Sequence, residues 1–134
     1  MTERLRTLVL SLGAFVMGVL VGSITTVVHQ NTVDVGSFEF PWGLILGLIA
    51  VTGFFVGLRM VVQNRWVVFS AAIGLVGTIF LYSLKSPGGS VFIPNNLWGT
   101  VWAVGPALIA TIVLLWPKLP TKDARTRREG SASV

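Results

Sequence analysis

Residues 41–84 read PWGLILGLIAVTGFFVGLRMVVQNRWVVFSAAIGLVGTIFLYSL. Two apolar runs, 42–62 and 66–84, are separated in this segment by only three residues, 63–65. An α-helix rises about 1.5 Å per residue, so each run is long enough to cross a hydrocarbon core about 30 Å thick. The segment therefore predicts two membrane-spanning helices that run in opposite directions and are joined by a tight turn.

Two further apolar runs, 7–28 and 97–116, lie on either side of this pair. The first follows a basic start, as a signal peptide does, but it is longer than the apolar part of a signal peptide and no A-x-A-like site follows it. We expect it to be retained as a span. Asn95 and Asn96 can cap the start of the last run, and Pro117 marks its end.

The four runs predict an all-α membrane protein with four transmembrane helices in an up-down bundle, both termini being cytoplasmic. The predicted transmembrane domain is 1–118, with spans at about 7–28, 42–62, 66–84 and 97–116. Residues 119–134 are polar and basic, with too few apolar groups to fold alone, so they predict a disordered cytoplasmic tail.

The composition agrees with lipid as the solvent. The chain is 53% hydrophobic and 11% charged, whereas a soluble domain is about one-quarter charged. It contains no cysteine, which excludes disulfides and thiolate metal sites. The net charge of +5 does not predict nucleic-acid binding, because the basic residues lie at the edges of the apolar runs and in the tail.

The distribution of basic residues predicts the orientation. The loops 29–40 and 85–96 contain only Lys85, and the other nine basic residues fall on the opposite side of the predicted membrane. The positive-inside rule makes that opposite side cytoplasmic, in a bacterial inner membrane. The nine are Arg4, Arg6, Arg59, Arg65, Lys118, Lys122, Arg125, Arg127 and Arg128.

Aromatic and basic side chains near the ends of the runs predict interfacial anchors. Amphipathic rings favour the membrane interface, and a long basic side chain can extend from the hydrocarbon to the headgroups. The predicted anchors are Trp42, Trp66, Trp98, Trp116 and Arg59.

Small residues recur at intervals of about four on all four runs. Small side chains let helix backbones approach closely, which is how helices associate in lipid. The pattern favours packing within one four-helix bundle, and the alternative is an interface with a second copy or another protein. The predicted packing residues are Gly18, Gly22, Gly43, Gly47, Gly53, Gly57, Gly74, Gly99, Ala103 and Ala107.

Gly105 and Pro106 predict a kink near the middle of the fourth helix, because proline removes a backbone hydrogen bond and crowds the preceding turn. Such a kink can serve as a hinge or line a cavity, or neighbouring helices can simply accommodate it.

No catalytic, cofactor-binding or metal-binding residue is predicted, and no cofactor. No Asp, Glu, Lys or His lies inside the four runs, although such groups usually mark ion paths and proton relays at membrane depth. His29 could in principle join Asp34 and Glu39 around a metal, but we interpret it as an interfacial histidine at a helix end. The loop 33–40 alternates polar and apolar residues, as a surface strand or interfacial segment does.

These features favour a non-enzymatic membrane protein whose partners are lipids and either copies of itself or a larger membrane assembly. The alternative is a small transporter or channel subunit in which the kink and four threonines line a pathway: Thr52, Thr78, Thr100 and Thr111.

The chain also resembles an uncharacterised family of small four-span membrane proteins from actinobacteria. The resemblance implies a cytoplasmic-membrane protein of unknown activity and carries over no catalytic residue. The residues that carry it are Gly22-Ser23, His29-Gln30, Pro41-Trp42-Gly43-Leu44, Arg59, Gly89-Ser90, Asn96, Gly99 and Trp102.

Overall fold

The computed structural model describes residues 2–84, 87–89, 93, 95–117 and 129–133. Within these residues the fold consists of four long α-helices and one two-stranded antiparallel hairpin, which lies between the first two helices. In chain order the elements are α1 Glu3–Val28, β1 Val33–Val35, β2 Phe38–Phe40, α2 Trp42–Val61, α3 Arg65–Ser83 and α4 Leu97–Leu115.

All four helices are long and apolar enough to cross a membrane, and they pack together, which confirms the prediction of an all-α fold with four membrane-spanning helices. The protein is thus a multi-pass membrane protein by the length and composition of its helices. Three helices begin and end within one residue of the predicted limits, whereas α1 begins at Glu3 rather than at residue 7. The carboxylate of Glu3 is favourable in the first turn, where the helix dipole is positive.

Asparagine side chains cap two of the helices. The side chain of Asn64 accepts a hydrogen bond from the backbone N–H of Trp66 at 3.0 Å, at the start of α3. Asn96 Oδ1 accepts one from the backbone N–H of Gly99 at 2.8 Å, at the start of α4. These bonds satisfy N–H groups that have no partner within the helix, so both helix starts are fixed by the sequence.

The closest helix pair is α1 with α3, although α2 lies between them in the chain. A Cβ at Gly18 would overlap the carbonyl oxygen of Ala71, and a Cβ at Gly74 would overlap that of Phe15. A Cβ at Gly22 would lie 3.0 Å from the carbonyl oxygen of Leu75. From Gly18 beside Ala71 to Gly22 beside Leu75 the contacts advance by four residues on each helix, so α1 and α3 run in the same direction with their backbones in contact.

In contrast, α2 packs against α4 and α1 and touches α3 only a little. Its side chains Val51 and Phe55 are completely buried, as are Leu75 of α3 and Trp102 of α4. Most other apolar side chains of the helices face outward. Lipid is the solvent that suits such a surface, because it is as apolar as the side chains themselves.

The two ends of the helix bundle differ in how the helices are connected. We call one the hairpin end, where α1 ends and α2 and α4 begin, and the other the turn end, where residues 62–64 connect α2 to α3. At the turn end, the Arg59 guanidinium donates to the carbonyl oxygens of Gln63 at 3.3 Å and Trp116 at 3.5 Å. It therefore links the last turn of α2 to the end of α4.

The predicted tail, 119–134, lies outside the described residues except for 129–133, of which 129–132 are helical. Six basic residues used in the prediction of orientation also lie outside them: Lys85, Lys118, Lys122, Arg125, Arg127 and Arg128. Ser90, which contributes to the family resemblance, lies outside them too.

Candidate functional site

The most distinctive site in the described residues is a buried polar cluster at the hairpin end. Four polar side chains are buried: Thr25, Thr26, His29 and Thr78. Thr25 and Thr78 donate to carbonyl oxygens of their own helices, at 2.6 Å and 2.7 Å. Thr26 and His29 instead contact α4, so these two residues connect separate parts of the chain.

Thr26 is bonded on two sides. Its hydroxyl oxygen accepts a hydrogen bond from the indole Nε1–H of Trp102 at 3.2 Å, and its carbonyl oxygen accepts one from Nδ1–H of His29. The imidazole of His29 stacks on the indole of Trp102, with ring centroids 5.0 Å apart and an interplanar angle of 11°. We call Thr26, His29 and Trp102 the cap cluster, because it lies at the C-terminal end of α1, where His29 is the cap residue.

The sequence builds the cap cluster by simple spacing. Thr26 and His29 are three residues apart, so they lie on one face at the end of α1. Trp102 lies on the buried face of α4, which also carries Pro106 and Ala110. Side chains of α1 and α4 therefore meet at one level, and the indole N–H finds a partner inside the fold.

Helix α2 makes room for the indole with glycine. A Cβ at Gly47 would lie 2.7 Å from Cζ3 of Trp102, a separation that real Cβ atoms do not show. One turn earlier, a Cβ at Gly43 would overlap the carbonyl oxygen of Val28. The backbone N–H of Gly43 also donates to the carbonyl oxygen of Asn31 at 3.0 Å. Gly43 and Gly47 thus bring α2 against the end of α1 and against the cap cluster.

The electrostatics of the cap cluster favour a neutral imidazole. Burial lowers the pKa of His29, and the hydrogen bond to the Thr26 carbonyl opposes this shift only in part. A carbonyl oxygen only accepts, so the proton of the neutral ring lies on Nδ1. The neutral ring can stack on the indole without bringing a charge into an apolar environment.

His29 lies at the end of α1, as the sequence predicts, and its side chain is buried. The side chain is only 3% exposed, because the ring lies against Trp102. Among the residues that the structure describes, no three His, Asp or Glu side chains are close enough to hold a metal ion. The chemistry visible in the cap cluster is hydrogen bonding and ring stacking that join α1 to α4.

The predicted packing glycines divide into two groups. Gly18, Gly22 and Gly74 form the contact between α1 and α3, and Gly43 and Gly47 lie under the cap cluster. Gly53 and Gly57 have no atom within 4 Å of a Cβ built on them, apart from their own helix backbone and chain neighbours, and both are exposed. On α2, the space beside the first glycine pair is therefore occupied by neighbouring residues, whereas the space beside the second pair is open.

The buried face of α4 differs from the predicted packing face by a rotation about the helix axis. Gly99 is buried, but Ala103 and Ala107 are half-buried at the edge of the contact. The helix continues through Pro106, which is buried, and a Cβ at Gly105 would lie 2.9 Å from Cδ2 of Leu48. The buried residues of α4 are Gly99, Trp102, Pro106, Ala110 and Val113.

The predicted anchors lie at the helix ends. Trp42 is 36% exposed, Trp66 72% and Trp116 56%, while Trp98 is half-buried. The structure thus leaves most of these indoles available to an interface, and Arg59 makes the two bonds described above.

The four threonines of the transporter alternative do not share one interior surface. Thr52, Thr100 and Thr111 are exposed, and each hydroxyl donates to a carbonyl oxygen of its own helix. Only Thr78 is buried.

Sequence reasoning missed the joint role of Thr26, His29 and Trp102. Two signals were available: Thr26 and His29 are three residues apart, and Trp102 lies on the same face of its helix as Pro106. Neither signal indicates which helices are neighbours.

Comparison of the chain with known protein families, with curated proteins and with solved structures finds no match.

Proposed function

We propose that this membrane protein is a non-enzymatic subunit that associates with copies of itself through the exposed face of α2 that carries Gly53 and Gly57. One observation carries the proposal: these two glycines are open, while the other GxxxG pairs are filled by neighbouring helices.

The open glycines lie within a face suited to close helix contact. Gly53 and Gly57 are four residues apart and so lie one above the other on the helix surface. Ile49, Val56 and Met60 share this face and are 62%, 42% and 78% exposed. Glycine flanked by larger apolar side chains lets two helix backbones approach, and the van der Waals attraction between the two helices then drives association in lipid.

The non-enzymatic part of the proposal is supported by the buried polar groups. Each of the four in the described residues takes part in a hydrogen bond within the fold. The cytoplasmic location of both termini is part of the same proposal. It is supported by Arg4, Arg6 and Arg65, which lie near the starts of α1 and α3, because those two helices run in the same direction.

Disulfide cross-linking in native membranes tests the interface, since the chain has no cysteine of its own. We expect Gly53→Cys to give a covalent dimer under mild oxidation. The matched control is Gly13→Cys, an exposed glycine of α1 that also has open space around it. The control is expected to remain monomeric on a denaturing gel.

Native mass spectrometry of Gly53→Leu provides the second test. The leucine fits the monomer, because nothing occupies the space beside Gly53, but it separates two α2 backbones. We expect the oligomer of the unmodified chain to become a monomer. An unmodified chain that is already monomeric, or an oligomer that survives the substitution, rules out this interface. A second protein in fixed ratio would instead make the chain an accessory subunit.

A further inference from the structure

We propose that the hairpin β1–β2 is a lipid-binding element, which inserts one apolar face into the bilayer leaflet at the hairpin end while its other face stays in water. This inference goes beyond association through α2 and does not depend on it.

The register of the hairpin separates apolar from charged side chains. Val33 pairs with Phe40 and Val35 with Phe38, while Asp34 pairs with Glu39. Successive side chains of a strand point to opposite faces, so the two valines and two phenylalanines share one face. Both carboxylates lie on the other. Gly36, with φ of +68°, supplies the left-handed residue of the turn that sets this register.

The apolar face is not covered by the rest of the chain. Val33 is 51% exposed, Val35 63%, Phe38 55% and Phe40 43%. A two-stranded hairpin alone is at best marginally stable in water, because it has no second layer to cover its apolar face. Four large apolar side chains on one small hairpin therefore require an apolar surface against which they can pack.

The position of the hairpin indicates that this surface is lipid. Only Pro41 separates β2 from Trp42, the first residue of α2, and β1 follows α1 closely. Both helices present exposed apolar side chains near the same end, among them Val27 at 65% and Ile45 at 42%. The hairpin is thus joined directly to two helices whose exposed surfaces near this end are apolar.

The charged face supports a hydrated position on the opposite side. Asp34 and Glu39 are cross-strand partners, and two like charges placed directly opposite each other repel. Water weakens this repulsion far more than an apolar protein contact does. A hairpin lying flat on the bilayer satisfies both faces, with the carboxylates toward water and the valines and phenylalanines toward the acyl chains.

Site-directed spin labelling of the full chain tests the proposal. Single cysteines are introduced by Val35→Cys and Phe38→Cys on the apolar face. The matched controls on the charged face are Asp34→Cys and Glu39→Cys. All four sites are exposed, so the label does not require the fold to open. Each labelled protein is reconstituted into vesicles of phosphatidylcholine and phosphatidylglycerol, and collisions with oxygen and with a water-soluble nickel chelate are measured.

We expect the ratio of the two collision rates to reverse with each step along a strand. Oxygen, which partitions into lipid, dominates at positions 35 and 38, and the nickel chelate dominates at 34 and 39. Equal access of the nickel chelate to all four positions overturns the proposal, because the whole hairpin is then in water. Positions 35 and 38 that are shielded from both reagents also overturn it, since a protein then covers the face.

Discussion

The imidazole of His29 lies nearly parallel to the indole of Trp102, with ring centroids 5.0 Å apart. One residue lies just past the end of α1 and the other within α4, 73 positions later in the chain. Their contact, together with the bond from Trp102 Nε1 to Thr26 Oγ1, fixes how the first and last helices meet. The stability of the fold should therefore depend strongly on this small group of side chains.

Truncation of Trp102 should be costly. We expect Trp102→Ala to lower the free energy of unfolding by about 3 kcal/mol, the low end for a buried aromatic residue, because the side chain is buried from lipid instead of water. Unfolding of the reconstituted protein followed by circular dichroism measures the change. The control is Trp116→Ala, whose side chain is 56% exposed, and an equal loss there would contradict the prediction.

Removal of the Thr26 hydroxyl should leave the indole N–H without its partner. We expect Thr26→Val to cost about 1–3 kcal/mol, the penalty for an unsatisfied buried donor. Thr111→Val is the matched control, since that hydroxyl is exposed and bonds only to its own helix. The same unfolding measurement applies, and equal stabilities of the two variants would be inconsistent with the bond.

The stability of the protein should fall in mild acid because of His29. Burial lowers the pKa of its imidazole, whereas the unfolded chain binds the proton at about pH 6.5. The unfolded state thus binds more protons between these two pKa values, so stability is complete above about pH 6.5 and decreases as the pH falls toward the lowered pKa.

The chain has a single histidine, which makes this test specific. We expect unfolding curves between about pH 8 and pH 5 to show the decrease for the unmodified protein and little of it for His29→Gln. A titration of the imidazole by NMR gives the pKa directly. A midpoint at or above the ordinary histidine value would contradict the assignment.

Two glycines of α1 should respond oppositely to alanine. A Cβ at Gly18 meets the backbone of Ala71, which cannot move aside, so Gly18→Ala should destabilise by about 1–3 kcal/mol through overpacking. A Cβ at Gly13 meets nothing within 4 Å, so Gly13→Ala should be neutral or stabilise by up to about 1 kcal/mol through helix propensity. The free energies of unfolding of the two variants are measured under identical conditions, and equal values would contradict the prediction.

Gly47 and Trp102 should be energetically coupled. A methyl group at position 47 pushes against the indole ring, so Gly47→Ala should destabilise the protein and alter its near-ultraviolet circular dichroism. The smaller side chain of Trp102→Leu leaves room for that methyl group. We expect Gly47→Ala to cost less in the Trp102→Leu background, and additive effects of the two changes would rule out the contact.

The sequence predicts the helices well but not their neighbours. Long apolar runs, the cap at Asn96 and the short turn after α2 are local features, so they define the four helices. The pairing of helices is not local, and in lipid the outer surface is as apolar as the interior. Gly18 and Gly53 each begin a GxxxG pattern, yet only the first is filled by another helix. Hydrophobic patterning therefore cannot tell the two apart.

The cap cluster was hidden for a related reason. Trp102 follows Trp98 by one turn, and in the sequence it cannot be distinguished from an interfacial tryptophan. In the structure it is completely buried, while Trp98 is half-buried. The difference depends on Thr26 and Gly47, which lie on other helices and become neighbours only in the folded chain. The hairpin was easier to predict from the sequence, since the alternation over 33–40 and the turn glycine are both local signals.

The close pairing of α1 with α3 has a consequence for biosynthesis. A ribosome adds about 5–20 residues per second, so several seconds separate the completion of α1 from that of α3. During this interval α3 is not yet available to cover Gly18 and Gly22, and α2 must enter the bilayer without taking its place. The contact between α1 and α3 therefore cannot form until the third helix is complete. A nascent chain that stops after α2 has two helices in the membrane, and both lack their main partners, α3 and α4.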